Sequence, residues 1–209
     1  QNVLDRLRRT LPQVTPAVIE AVSRRIEASP RIRSTWSGDR ASVREFYGAL
    51  WRAMMLAISA ESGKRIILDS SKSSRASLRR VSALARLCGF DVRVIHLIKD
   101  PRAFMWSVMR GSNRLLETGQ QELRKGSMSR GLAGWVVVNA WVHITQAMNP
   151  RIPVMRLRYE DMIGDTPRTL RAVGAFLDLD LQPVIDLVAD QRPFPPGHGV
   201  GGNRMRRQG

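Results

Sequence analysis

The chain has 209 residues, 43% of them hydrophobic, which is enough for one domain with a core of two or three layers. Thirty-four Lys and Arg against 18 Asp and Glu give a formal net charge of +16, which favours an anionic partner such as a nucleotide, nucleic acid, phosphorylated or sulfated substrate or anionic lipid. One cysteine excludes an internal disulfide and a cysteine metal cluster, and no apolar run reaches the roughly 18 residues that span a bilayer.

The amino-terminal third predicts helices. Thr15-Pro16 is a typical helix start, and apolar residues then recur at every fourth position until Pro30 stops the helix. Ser42 and Glu45 match a capping box at the start of a second, longer helix. Ser62-Gly63 is the predicted end of that helix.

Two apolar runs in the middle of the chain predict strands. RIILDSS (65–71) and VRVIHLI (92–98) flank a basic helical segment at about 74–88. Such a βαβ unit has parallel strands, so both carboxyl ends lie at one sheet edge, where ligands of α/β proteins collect. Those ends carry Lys72 and Lys99.

Asp100-Pro101 predicts a helix that begins directly at the end of the second strand. Proline suits the first helical position, and the free amides and positive dipole of this helix end would favour an anion.

The later segments complete the predicted sheet. Residues 115–129 are polar and typical of a surface loop or lid. A helix with Trp135 and Trp141 follows, whose tryptophans we expect in the core, with an acceptor pocket or a dimer face as alternatives. PVMRLRYED (153–161) is a third predicted strand. Helices starting at Thr166-Pro167 and Gln182-Pro183 precede a tail rich in Gly and Pro.

These elements predict a single domain over 1–209 of the α/β class, with three layers, α/β/α, around a central parallel sheet. Residues 1–64 form its helical part and 65–180 its sheet core. Residues 181–209 supply a last helix and a glycine-rich closing loop.

Several common catalytic motifs are absent from the sequence. It contains no GxxxxGK[ST] or GxGxxG motif after a strand and no GxSxG elbow, which removes the main support for kinase, GTPase, Rossmann and hydrolase functions. His96, His143 and His198 lack metal-ligand spacing, so we expect no metal. We expect His96, in the middle of an apolar strand, to be a core histidine.

Four stretches resemble the PAPS-dependent sulfotransferases, in the order in which that family has them. VIHLIKDPRAFMWS (94–107) is similar to the 3′-phosphate motif, in which a serine follows eight residues after a basic residue at the end of a strand. ILDSSKSSR (67–75) resembles the strand with the active-site lysine. LRYEDMIGDTPRTLRAVGAFLDLD (157–180) resembles the YED strand and the helix after it, and HGVGGNRMR (198–206) resembles the glycine-rich closing loop.

The resemblance implies a P-loop NTPase-like sulfotransferase fold and a site for PAPS, 3′-phosphoadenosine 5′-phosphosulfate, with PAP as product and no metal. It implies that Lys99 and Ser107 bind the 3′-phosphate, that Tyr159 lies near the adenine and that Lys72 faces the transferred sulfuryl group. It further implies that the closing loop completes the anion site through His198, Gly199, Gly202 and Arg204.

The sequence departs from the family at two points. Lys99 stands where the family usually has Arg, which predicts looser 3′-phosphate geometry because Lys is a point charge. The family's first strand and its RSGTT-like 5′-phosphosulfate loop have no counterpart, so we interpret the chain as a domain whose N-terminal edge is missing.

The functional hypothesis is therefore a PAPS-dependent sulfotransferase acting on a hydroxyl or amine of a carbohydrate, lipid or small molecule. The alternatives are a non-catalytic nucleotide- or polyanion-binding module and, on charge alone, a nucleic-acid-binding protein. QNVLDRLRR at the start has no apolar signal-peptide centre, which predicts a soluble chain. The scarcity of cysteine fits the cytoplasm and leaves a secretory lumen open. The sequence does not indicate the oligomeric state.

Overall fold

A computed structural model describes residues 2–27, 39–70, 79–110 and 127–193. These residues form a mostly helical α/β structure with a small parallel sheet of two strands, whereas the three-layer arrangement stays a prediction. The elements are, in chain order, α1 Asn2–Thr10, α2 Pro16–Glu27, α3 Arg40–Ser62, α4 Arg80–Cys88, β1 Val94–Ile98, α5 Pro101–Arg110, α6 Met128–Met148, β2 Val154–Arg158, α7 Tyr159–Gly164, α8 Thr166–Leu177 and α9 Gln182–Ala189.

The chain divides into two compact units. One comprises Gln1–Val94 with Ala140–Pro153, and the other comprises Ile95–Asn139 with Val154–Gly209. Helix α6 therefore contributes its first part to the second unit and its remainder to the first. The prediction of a single domain stays a prediction beside this division.

The core of the first unit lies among α1 to α4. Its most buried side chains are Leu7, Val14, Val22, Val43, Tyr47, Leu50, Trp51, Ala83 and Cys88. Cys88, the one cysteine, is buried. Leu7 and Val14 come from a stretch with no clear sequence pattern, yet they are 1% and 4% exposed, because α1 packs against α3.

A buried ion pair ties α2 to α4 inside this core. Glu27, 4% exposed, accepts hydrogen bonds from the Tyr47 hydroxyl at 2.7 Å and from Arg80 Nη1 at 2.9 Å. Arg80 also donates to Asp69 at 2.8 Å, and its guanidinium lies 4.0 Å from the centroid of the Trp51 ring. The hydrogen bonds and the aromatic face offset the cost of burying these charges.

The predicted capping box at the start of the second helix is wrong. Asp39 caps α3, accepting from the amides of residues 41 and 42, so the helix begins before the Ser42 capping box. Helix α8 begins at Thr166, as predicted, and Asp165 caps it through the amide of residue 168. An aspartate carboxylate is a stronger acceptor than a hydroxyl and interacts favourably with the helix dipole. Gly63 ends α3 in the left-handed conformation (φ 65°), as predicted.

The predicted strand over 65–71 is wrong for residues 65–70, which form no strand. Ile66 and Leu68 are 56% and 80% exposed. A strand requires a hydrogen-bonded neighbour and cover for its apolar faces, and the described residues provide neither here. Residues 71–78, including the start of the predicted basic helix, lie outside the described residues.

The sheet of the second unit pairs β1 with β2. Both lie within predicted strands, but β2 stops at Arg158, and Tyr159 begins α7 instead of continuing the strand to residue 161. Helices α5 and α9 begin at their predicted prolines or one residue before. Among the described helices, none combines the length and the apolar character needed to cross a membrane.

Candidate functional site

The candidate site lies where β1 and β2 end. Lys99 and Asp100 follow β1, and Tyr159 and Glu160 follow β2. Because the two strands are parallel, their carboxyl ends meet at the same edge of the sheet. The four side chains are thereby brought to the position where α/β proteins hold their ligands.

Lys99 and Tyr159 are in contact at this edge. The Lys99 ammonium lies 5.2 Å from the centroid of the Tyr159 ring, a cation–π distance, and both residues are half-buried. Nearby arginines are paired, Arg102 with Asp100 at 2.9 Å and Arg158 with Glu160 at 4.0 Å. In the described part of the chain, no carboxylate oxygen lies within 4.0 Å of the Lys99 ammonium. Among the described residues, no carboxylate therefore neutralises its charge.

The peptide group after Lys99 is hydrogen-bonded on both sides. The Trp135 indole N–H of α6 donates to the Lys99 carbonyl at 3.1 Å. The Asp100 amide donates to Glu160 Oε1 at 2.8 Å, and this bond is the main reason that the pKa of Glu160 lies below its usual value. Side chains from two other elements thus hold the junction between β1 and α5.

The start of α5 is not the open anion site that the sequence predicts. The Asp100 carboxylate accepts the amide of Arg102 at 2.7 Å and binds its guanidinium at 2.9 Å. Hydrogen bonds from the Arg102 side chain are the main cause that lowers the pKa of Asp100 to about 2. With the Asp100 amide already donating to Glu160, the protein's own carboxylates take both amides, and a bound anion there would face two negative charges.

Ser107 is exposed in α5. It follows Asp100 by about two helical turns, so both lie on the same side of the helix. Trp106, the preceding residue in the helix, is 63% exposed. The predicted partnership of Ser107 with Lys99 stays a prediction.

The other predicted site residues lie outside the described residues. They are Lys72, His198, Gly199, Gly202 and Arg204. Their predicted roles toward the sulfuryl group and the 3′-phosphate therefore stay predictions.

His96 is a core histidine, as predicted. It is 7% exposed, and its Nε2 lies 2.8 Å from Asn139 Oδ1 in α6. Asn139 in turn donates to the Trp135 carbonyl at 2.7 Å. Among the described residues, no group of three or more His, Cys, Asp or Glu side chains could hold a metal ion.

Sequence reasoning missed the residues that hold the site's backbone. Glu160 was visible as the middle residue of the Tyr159 motif, and Trp135 as an apolar residue of α6. Neither pattern indicates a hydrogen bond to the peptide after Lys99, because both bonds join residues far apart in the chain.

Comparison with known proteins matches the chain to a family. The family described as the Sulfotransferase family matches residues 5–183, which is most of the chain. The match includes Lys72, Lys99, Ser107 and Tyr159, whereas the predicted closing loop lies beyond it. No curated protein and no solved structure matches the chain.

Proposed function

The chain belongs to the sulfotransferase family, and from this premise we propose that it transfers a sulfuryl group from PAPS to an acceptor. The acceptor would be a hydroxyl or amine of a carbohydrate, a lipid or a small molecule. The proposal draws on three supports: the family match, the order of the sequence motifs and the cation at the end of β1.

The Lys99 ammonium is the observation that carries the proposal. It is half-buried, lies over the Tyr159 ring and has no described carboxylate within 4.0 Å. Partial burial strengthens its attraction for an anion, since the surrounding dielectric constant is below that of water. We propose that it binds the 3′-phosphate together with Ser107, while Tyr159 lies beside the adenine.

The amides that begin α5 take no part in this proposal. The Arg102 amide of α5 donates to the Asp100 carboxylate, and the Asp100 amide just before the helix donates to Glu160, so the 3′-phosphate would rely on side chains. We further propose that Lys72 faces the sulfuryl group and that His198, Gly199, Gly202 and Arg204 close over the phosphate.

The proposed reaction is an in-line displacement at sulfur. The acceptor oxygen or nitrogen forms a bond to sulfur, the bond from sulfur to the bridging phosphate oxygen breaks, and its electron pair leaves with PAP. The acceptor proton passes to a general base, which we do not assign. The cation of Lys72 would stabilise the charge that develops on the leaving oxygen.

Calorimetric titration of the whole protein with PAP tests the nucleotide site. We expect Lys99→Ala and Ser107→Ala each to weaken PAP binding, the former by roughly 10- to 100-fold, because it removes a charge-assisted contact. Lys99→Arg should retain binding, since its guanidinium can grip a phosphate. Lys64→Ala is the control, because Lys64 is an exposed lysine outside the site.

Three outcomes separate the hypotheses. Loss of PAP affinity in both site variants, with transfer of radiolabelled sulfate from PAPS to an acceptor, supports a sulfotransferase. PAP binding without transfer, over a panel of carbohydrate, lipid and phenolic acceptors, supports a non-catalytic module. Salt-sensitive binding to generic DNA with no PAP binding would refute the proposal in favour of a nucleic-acid-binding protein.

A further inference from the structure

We propose that Trp135 and Glu160 are positioning residues that act through one peptide group, the one joining Lys99 to Asp100. The inference rests on the proposed function, in which Lys99 binds a phosphate of the nucleotide. It adds two residues that the sequence motifs do not assign.

The two hydrogen bonds fix opposite sides of a single planar unit. The oxygen accepts from Trp135 Nε1 at 3.1 Å, and the nitrogen donates to Glu160 Oε1 at 2.8 Å. A peptide group is rigid, so it can turn only about the backbone bonds on either side of it. Any such turn would break at least one of the two bonds.

Trp135 is itself attached to β1. Asn139, one turn later in α6, donates to the Trp135 carbonyl at 2.7 Å and lies 2.8 Å from Nε2 of the buried His96. His96 lies in β1, three residues before Lys99, which directly follows the strand. Hydrogen bonds thus join β1 to α6 at His96 and again at the peptide after Lys99. These two connections fix the position of Trp135 relative to the peptide it binds.

The peptide lies between the two residues proposed to share the phosphate. Lys99 lies on its amino side, and on its carboxyl side α5 begins and carries Ser107. The direction of α5 relative to Lys99 therefore depends on the orientation of this peptide. A lysine is a point charge on a flexible stem, so a fixed backbone origin reduces the entropy lost when it binds.

The test measures PAP affinity in full-length variants that remove one bond each. Trp135→Phe keeps the ring but not the N–H, and Glu160→Ala removes the acceptor. We expect each to weaken PAP binding roughly 3- to 10-fold, the usual range for one lost hydrogen bond. Glu160→Gln should retain most of the affinity, because its amide oxygen can still accept from the Asp100 amide. Trp141→Phe, in the same helix, is the matched control and should bind as the wild type does.

A double-mutant cycle with Lys99→Ala distinguishes positioning from a general structural effect. If Trp135 and Glu160 act through Lys99, their loss should cost clearly less affinity in the Lys99→Ala background than in the wild type, and any remaining loss would come through Ser107 on α5. Additive losses of PAP affinity in the Lys99→Ala background would overturn the inference. Wild-type PAP affinity in both Trp135→Phe and Glu160→Ala would also overturn it. In either case the proposed function would stand. Failure of the wild-type protein to bind PAP would overturn both.

Discussion

Replacing Glu27 by alanine tests the buried ion pair of the first unit. The wild-type carboxylate accepts from the Tyr47 hydroxyl at 2.7 Å and from Arg80 Nη1 at 2.9 and 3.1 Å. The substitution leaves the Tyr47 hydroxyl without this acceptor. It also removes one of the two carboxylates that pair with Arg80, whose side chain is only 17% exposed. The variant should therefore be strongly destabilised.

The magnitude follows from what Arg80 retains. Removing one partner of a buried ion pair typically costs about 3 to 5 kcal/mol. Arg80 keeps its 2.8 Å bond to Asp69 and its contact with the Trp51 ring, which favours the lower end. We expect the free energy of unfolding to fall by about 3 kcal/mol in Glu27→Ala.

Urea denaturation followed by tryptophan fluorescence and circular dichroism measures this change. Glu20→Ala is the matched control, because Glu20 pairs with Arg24 at the surface of the same helix, where loss of the pair should cost less than about 1 kcal/mol. Glu27→Leu combined with Arg80→Met should recover much of the stability, since no buried charge is then left unpaired. A Glu27→Ala protein as stable as the Glu20→Ala control would refute the reasoning.

Two further predictions concern the glycines of the long helices and the start of α5. Gly48→Ala should lower the free energy of unfolding by about 1 to 3 kcal/mol, because its Cβ would lie 2.5 Å from the Leu87 carbonyl oxygen. Gly134→Ala, where nothing lies within 4 Å of the new Cβ, should raise the free energy of unfolding by about 0.5 to 1 kcal/mol. Equal changes in the two variants, measured by urea denaturation, would contradict both expectations. The pKa of Asp100 is lowered from 3.8 to about 2, so its contribution to stability is present above 3.8 and is lost as the pH falls through 2. Over this pH range, the melting temperature should fall less for Asp100→Asn than for the wild type. Parallel curves of melting temperature against pH for the two proteins would argue against the bond to Arg102.

The candidate site was partly readable from local motifs. Lys99 follows the apolar run of β1, as predicted. Tyr159, predicted inside a strand, instead begins α7 directly after β2, and the parallel pairing of β1 with β2 brings both residues to one edge. The anion-binding role expected for the start of α5 was wrong, because the Asp100 carboxylate accepts the Arg102 amide and Glu160 accepts the amide of Asp100 just before the helix. Motif spacing indicates which residues follow a strand, but not which hydrogen-bond acceptors contact the backbone at the end of that strand.

The sequence alone determined the structural features that depend on only a few neighbouring residues. The prolines at 16 and 101 begin helices, Gly63 ends one, and the apolar run of β1 forms a strand, because each depends on local backbone preferences. Only the tertiary structure decided that residues 65–70 form no strand and that Trp135 and Glu160 share one peptide group. These outcomes depend on partners distant in the chain, whose positions no local pattern encodes.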